Sequence, residues 1–296
     1  MNKKLTGIII PVITPFTNQK VDLEKLAYNM QKTCASSVAG YMPLGSNGEF
    51  AHMNDEEQLS VLKTIKNNIP KDKVFMVGIA RQSAYGTIEF GKKAIDMGAD
   101  FVSILSPSYF ASFMTDEALI KYYTAVADGL SVPVLMYNCP KFAAGISLSE
   151  NVVAELAKHP NIVGMKDTSK GNIEKYLSVV EGEDFDIIAG SIENFFAGLL
   201  KGATGGVLSM ANFLPEECCK IQALFEKGEV KQAEELSDKL RALNKAGAGK
   251  YGVAGVKAGC DLFGFKGGEV RLPLLDCTSE QKETIRKVFV EAGYLD

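Results

Sequence analysis

Eight short apolar, β-branched runs recur along this chain at intervals of roughly 20 to 35 residues, the length of one strand, one helix and their turns. They are Gly7–Val12, Val38–Met42, Val74–Val77, Phe101–Leu105, Val132–Tyr137, Ile162–Met165, Phe185–Ala189 and Gly206–Ser209. Their apolarity is continuous rather than alternating, as in strands buried on both faces of a parallel sheet. Between them lie helix starts of the capping-box kind, Asn54 with Glu57 and Ser147 with Glu150. Strand and helix alternate throughout. Eight such units with right-handed crossovers close into a (β/α)8 TIM barrel, whereas a doubly wound sheet stops more often at about five or six strands.

After the eighth run the pattern changes. Helical periodicity extends from about Glu216 to Ala248, a glycine-rich joint follows, and Thr278 with Gln281 opens a last helix. The expected organisation is an α/β fold: residues 1–225 as the barrel with the active site, and 226–296 as a C-terminal helical appendage. The joint Gly247-Ala248-Gly249-Lys250-Tyr251-Gly252 matches the dinucleotide pattern GxGxxG, but it follows a helix instead of a strand and is rejected as a cofactor site.

Composition excludes several classes. With 46% hydrophobic and 23% charged residues the chain has the balance of a globular protein that folds on its own. A net charge of −4 without a long basic run offers nothing to nucleic acid or anionic lipid. Asn2-Lys3-Lys4 precede an apolar run that Pro11 interrupts, too short for a signal peptide or membrane span, so a buried first strand is expected there. Six cysteines without CxxC spacing point to reduced thiols and a cytoplasmic location. The two histidines, His52 and His159, lack metal-ligand spacing, and no metal is expected.

In a β/α barrel the active site lies at the C-terminal ends of the strands. Lys166 ends the apolar run Ile162–Met165, where desolvation disfavours an ammonium and a neutral amine is a nucleophile. Position alone suits better a lysine that closes the strand and reaches out to water. Tyr137 ends the fifth run and is placed to move protons beside it, or to serve as an ordinary interfacial tyrosine. The loop Gly45-Ser46-Asn47-Gly48 offers amides and a hydroxyl as a carboxylate cradle, or is simply a tight turn.

Taken together and in this order, these residues resemble the dihydrodipicolinate synthase/N-acetylneuraminate lyase family of Schiff-base aldolases over essentially the whole chain. The likeness rests on Gly7 through Pro15-Phe16, Gly45–Glu49, Tyr109 after Pro107, Tyr137-Asn138-Cys139-Pro140, Gly164-Met165-Lys166-Asp167 and Gly205-Gly206. The resemblance implies Lys166 as the Schiff-base lysine, Tyr137 as the proton shuttle, and Ser46 and Asn47 as carboxylate ligands. It implies Tyr109 reaching a neighbouring subunit's site in a hydroxyl relay with Ser46, within a homodimer or homotetramer.

Within the family, dihydrodipicolinate synthases normally carry two threonines where Ser46 and Asn47 stand, and an arginine at the position of Phe142. A phenylalanine does not replace a bidentate guanidinium, although Lys141 beside it carries a point charge. The loop Gly45–Phe50 and the stretch His159–Asp167 are most similar to 4-hydroxy-2-oxoglutarate aldolases. Gly190, Glu193 and Ser209 fall where sialic acid lyases bind a polyhydroxylated tail, which keeps sugar-acid substrates in view. The implied activity is cleavage or formation of a 4-hydroxy-2-oxo acid from pyruvate and an aldehyde, with no cofactor beyond the lysine imine. Alternatives are 4-hydroxy-tetrahydrodipicolinate synthase, acting on pyruvate and aspartate semialdehyde, N-acetylneuraminate lyase, a non-catalytic 2-oxo acid-binding barrel, and a phosphate-binding barrel using Gly202–Gly206. Cys139 adjoins the expected site as a thiol with no assigned role.

Overall fold

The computed structural model describes residues 5–169 and 171–296; Asn2, Lys3 and Lys4 lie outside the described residues. Strands β1 (Gly7–Ile10), β2 (Gly40–Tyr41), β3 (Val74–Gly78), β4 (Phe101–Leu105), β5 (Val134–Asn138), β6 (Ile162–Asp167), β7 (Asp186–Ala189) and β8 (Gly205–Val207) close a parallel barrel in chain order. Every residue of β3, β4 and β5 is buried, which is why these runs are apolar at successive positions and show no two-residue alternation. The (β/α)8 expectation is the fold observed.

Contacts divide the chain into two compact units, Met1–Gly7 with Val74–Val207 and Ile8–Lys73 with Leu208–Asp296. In the first, pairing runs from β3 to β8, and the register sets Leu105 against Tyr137, Tyr137 against Lys166, and Asn138 against Asp167. The next pair sets Lys166 against Ile188 and Asp167 against Ala189. In the second unit Ile9 pairs with Gly40 and Ile10 with Tyr41. There Phe213, Phe263, Phe289 and Tyr294 interlock through ring contacts between 5.1 and 6.4 Å, tying the last helix, Ser279–Glu291, to Gly252–Leu262.

Local chemistry sets several boundaries differently from the sequence reading. Capping boxes form at Asn54 with Glu57 and at Thr278 with Gln281, as their spacing predicts. Ser147 caps nothing: the helix is Glu150–Leu156, and its cap is Ser149, whose hydroxyl accepts from Val152 N at 3.2 Å. The chain is still pinned outside the helix at Leu148, whose amide donates to Asn138 Oδ1 at 3.0 Å. The helical periodicity expected from Glu216 to Ala248 is carried by two helices, Pro215–Glu226 and Val230–Ala246, parted at Gly228 with φ +80°. The joint 247–252 sits between helices, and Gly252–Leu262 is a further helix absent from the sequence reading. A hairpin of Phe16–Thr17 with Lys20–Val21 also escapes it, its strands being shorter than any pattern window; Asn18 and Gln19 supply the two positive φ angles of its turn. Among the described residues no helix is long and apolar enough to cross a membrane.

Candidate active site

Parallel pairing of β5 with β6 brings two predicted residues together: Lys166 Nζ lies 4.0 Å from the centroid of the Tyr137 ring. Both are buried, Lys166 to 4% exposure. Tyr137 lies in a buried cluster with Leu105, Cys139 and Ala143, so its surroundings are apolar. Burial strips water from the ammonium and lowers the Lys166 amine to about 8, while Cys139 nearby acts in the opposite direction. A buried amine that titrates there is a nucleophile near neutral pH, and a tyrosine hydroxyl beside it supplies an acid–base group.

The residues that follow each of this pair point the other way and lock the two strand ends. Asn138 donates through Nδ2 to Asp167 Oδ1 at 2.8 Å and to Tyr176 Oη at 3.1 Å, and Tyr176 in turn donates to the Leu148 carbonyl at 2.7 Å. Ser169 donates to both Asp167 oxygens, at 2.7 and 2.8 Å. Burial raises the Asp167 carboxyl above its ordinary value, against these hydrogen bonds, which lower it. Gly190 closes the adjoining corner: its amide donates to the Asp167 carbonyl at 2.6 Å, and a methyl group there would fall on the Thr168 side chain and the Asp167 backbone. The structure therefore places Gly190 as a close-approach residue between β6 and β7.

In the second unit, β2 runs into a single 3-10 turn, Ser46–Gly48. The turn's own bonds are donated by Gly48 to the Gly45 carbonyl and by Glu49 to the Ser46 carbonyl, so they use neither the Ser46 nor the Asn47 amide. Ser46 Oγ is buried and has no hydrogen-bond partner among the described residues. Asn47 Nδ2 donates to Ser209 Oγ at 2.7 Å, which unites two predicted residues 162 positions apart.

The remaining predicted residues, Tyr109, Glu193 and Lys141, are exposed. Tyr109 is 80% exposed beyond β4, its ring edge-on to Phe110 at 5.0 Å and its amide donating to Gln82 Oε1 at 2.9 Å. Glu193 is exposed in the first turn of the helix Ile192–Lys201, where an acid suits the helix dipole. Lys141 Nζ lies 5.6 Å from the ring of the exposed Phe142. The pairing of Glu49 with Lys257, both buried, and its continuation through half-buried Arg271, His52 and Glu57 have no counterpart in the sequence reading. Glu49 and Lys257 are 208 positions apart, and no local spacing marks their pairing.

A closed parallel barrel whose sixth strand ends in a buried lysine against a tyrosine has the form of a class I aldolase, and the chain is an enzyme of that class, a carbon–carbon lyase. The model of the dihydrodipicolinate synthetase family matches residues 4–292, and the chain belongs to that family. Relatives differ in their names. A 4-hydroxy-tetrahydrodipicolinate synthase of Geobacter metallireducens is 29% identical over 96% of this chain and 98% of its own. A protein of Emericella nidulans named probable 4-hydroxy-2-oxoglutarate aldolase, mitochondrial, is 30% identical over 98% of this chain and 96% of its own. Among solved structures, YagE of E. coli K12, a prophage protein of the dihydrodipicolinic acid synthase family in complex with pyruvate, superposes with a TM-score of 0.90 at 25% identity, covering 98% of this chain and 99% of that one.

Proposed function

We propose that the enzyme interconverts a 4-hydroxy-2-oxo acid with pyruvate and an aldehyde through an imine on Lys166, with 4-hydroxy-2-oxoglutarate or a 2-keto-3-deoxy sugar acid as the long substrate. The observation that carries this reading is the buried Lys166 amine, lowered to about 8, beside Tyr137. Lys166 Nζ attacks the C2 ketone, and loss of water from the carbinolamine gives the iminium. Tyr137 takes the proton of the 4-hydroxyl as C3–C4 breaks and the aldehyde leaves. The bonding pair passes to the iminium as an enamine, which is protonated at C3 and hydrolysed to pyruvate and free amine. The imine is the electron sink, so the scheme needs no metal or organic cofactor. Ser46 and Asn47 hold the 2-oxo acid's carboxylate in this proposal; the Ser46 hydroxyl, without a partner among the described residues, and two amides outside the turn's bonding support that role.

Borohydride reduction in the presence of pyruvate tests the proposal by intact mass, and a screen of glyoxylate, glyceraldehyde and aspartate semialdehyde as acceptors identifies the aldehyde. A second reading, 4-hydroxy-tetrahydrodipicolinate synthase, draws on the relatives that carry that name. Phe142 speaks against it, since the resemblance puts an arginine there in the synthases. Condensation with aspartate semialdehyde at a rate above glyoxylate would establish the second reading and displace the first.

The pH dependence has a definite sign. A lysine whose amine is lowered gains its neutral form earlier as pH rises, so imine formation is expected to climb through about pH 8 and level off above it. An ordinary lysine would at that pH be under roughly 1% neutral. Single-turnover trapping rates from pH 6 to 10 check this; a midpoint near 10 would show an exposed amine.

For the assembly we propose a homo-oligomer, dimer or tetramer, in which Tyr109 reaches a neighbouring copy's site. Tyr109, Phe110 and Phe113, exposed by 80%, 64% and 71%, form an apolar surface of the kind that a second copy covers. Phe113→Glu is expected to lower the sedimentation coefficient to that of a smaller species, whereas an unchanged coefficient would remove this surface from the interface.

A further inference from the structure

Glu49 is a buried carboxylate in the second unit. It follows directly on Ser46-Asn47-Gly48, and its backbone sits in the left-handed region, φ 52° and ψ 38°, which a non-glycine residue adopts only at a cost. Leu44, at the other end of the same turn, also has a positive φ of 57°. Two strained residues thus bracket the segment proposed to grip the carboxylate. Such strain persists only where surrounding contacts over-determine the backbone.

Those contacts converge on the Glu49 carboxylate, itself 1% exposed. Oε1 accepts from Lys257 Nζ at 2.5 Å, and the Lys257 side chain is 2% exposed. Oε2 accepts from the Arg271 amide at 2.9 Å and lies 3.2 Å from His52 Nδ1. Lys257 also donates to the Glu269 carbonyl at 2.5 Å and lies over the Phe16 ring at 4.6 Å. Arg271 is fixed separately, by a bidentate pair with Glu57 at 2.7 and 2.8 Å and by donation to the His52 carbonyl at 2.8 Å. The carboxylate therefore has a donor on each oxygen, both from the C-terminal region.

We infer that Glu49, held by Lys257 and the Arg271 amide, is a positioning residue for substrate carboxylate binding, fixing the strained Ser46–Gly48 turn so that the Ser46 hydroxyl and the turn amides face the ligand. The inference rests on the carboxylate role proposed above for Ser46 and Asn47. Glu49 touches no reacting atom in it. The C-terminal region thereby becomes part of the substrate-binding apparatus and not only a structural appendage.

Replacing one partner alone would bury an unpaired charge, so the test uses the neutral double variant Glu49→Gln with Lys257→Met. Its amide offers a single acceptor where the carboxylate had two, and the Arg271 amide and His52 then compete for it. The full chain is titrated with pyruvate under borohydride, and steady-state cleavage of 4-hydroxy-2-oxoglutarate is measured alongside. The pyruvate concentration for half-maximal trapping, and KM with it, are expected to rise about tenfold or more, while trapping at saturation still reaches one adduct per chain and kcat stays within about threefold of native. In combination with Ser46→Ala the rise is expected to be less than the product of the separate effects, since both act through one turn.

An unchanged half-saturation, or effects that multiply independently, would overturn the inference and leave the network a structural one. Failure of the native protein itself to be trapped would strike at the imine reading instead. If the double variant is not recovered folded, Lys257→Arg, which keeps the charge and displaces the donor, is read by the same split of KM from kcat, with about a threefold rise expected.

Discussion

Lys166→Arg is expected to leave no pyruvyl adduct after borohydride reduction, where the native protein gains one per chain, and to lower aldol cleavage by about 10³- to 10⁶-fold. A guanidinium stays protonated at any accessible pH and has no lone pair for a ketone, although it nearly matches lysine in length. The expectation is specific to this amine. Lys257 is also buried, and burial lowers it too, but Glu49 holds it as a paired ammonium. An adduct surviving in the variant would therefore relocate the imine, with Lys257 the first alternative to map by peptide mass. No adduct in either protein would end the Schiff-base reading, and inhibition by inorganic phosphate would then favour the phosphate-binding barrel. Arginine overfills a buried site, so a loss of about 1–3 kcal/mol in stability is expected beside the chemical effect, measurable by denaturant unfolding and too small to empty the folded state.

Tyr137→Phe is expected to lower kcat by about 10²- to 10⁴-fold while pyruvate is still trapped on Lys166 at saturation. The ring lies in a buried apolar cluster with Leu105, Cys139 and Ala143, which phenylalanine retains, and the variant removes the hydroxyl that would move the proton. What it loses is the base for the 4-hydroxyl during C3–C4 cleavage. Separate single-turnover measurements of imine formation and aldehyde release would show the deficit, which is expected to be the larger in aldehyde release. A kcat within about threefold of native would remove Tyr137 from proton transfer and leave it as the wall against which Lys166 packs.

Much of this was open to reading along the chain, for identifiable reasons. A strand buried on both faces must be apolar at every position, so β3, β4 and β5 announce themselves as unbroken runs. A capping box is a contact between residues three apart, so Asn54 and Thr278 mark helix starts without help from elsewhere. Ser147 failed as a cap because a distant side chain, Asn138, holds the amide of Leu148 and keeps the chain extended for two residues more. The Phe16–Val21 hairpin failed for brevity, and Gly252–Leu262 because its glycines argue for a joint, while Phe263 at its C-terminal end packs on Phe213 and Phe289.

The order of strands and helices, the closed barrel and the placement of Lys166 and Tyr137 at strand ends thus follow from periodicity and local chemistry, properties that neighbours in the chain settle among themselves. Three further features come from contacts between distant segments. They are the pairing that sets Tyr137 against Lys166, the lowering of that amine, and the hold of Lys257 and Arg271 on Glu49. Desolvation is set by whatever surrounds a group in space, and a salt bridge spanning 208 residues leaves no spacing to recognise. A buried charge is stable only when its partner arrives from elsewhere in the fold, so pairs of this kind become visible only once the chain has closed on itself.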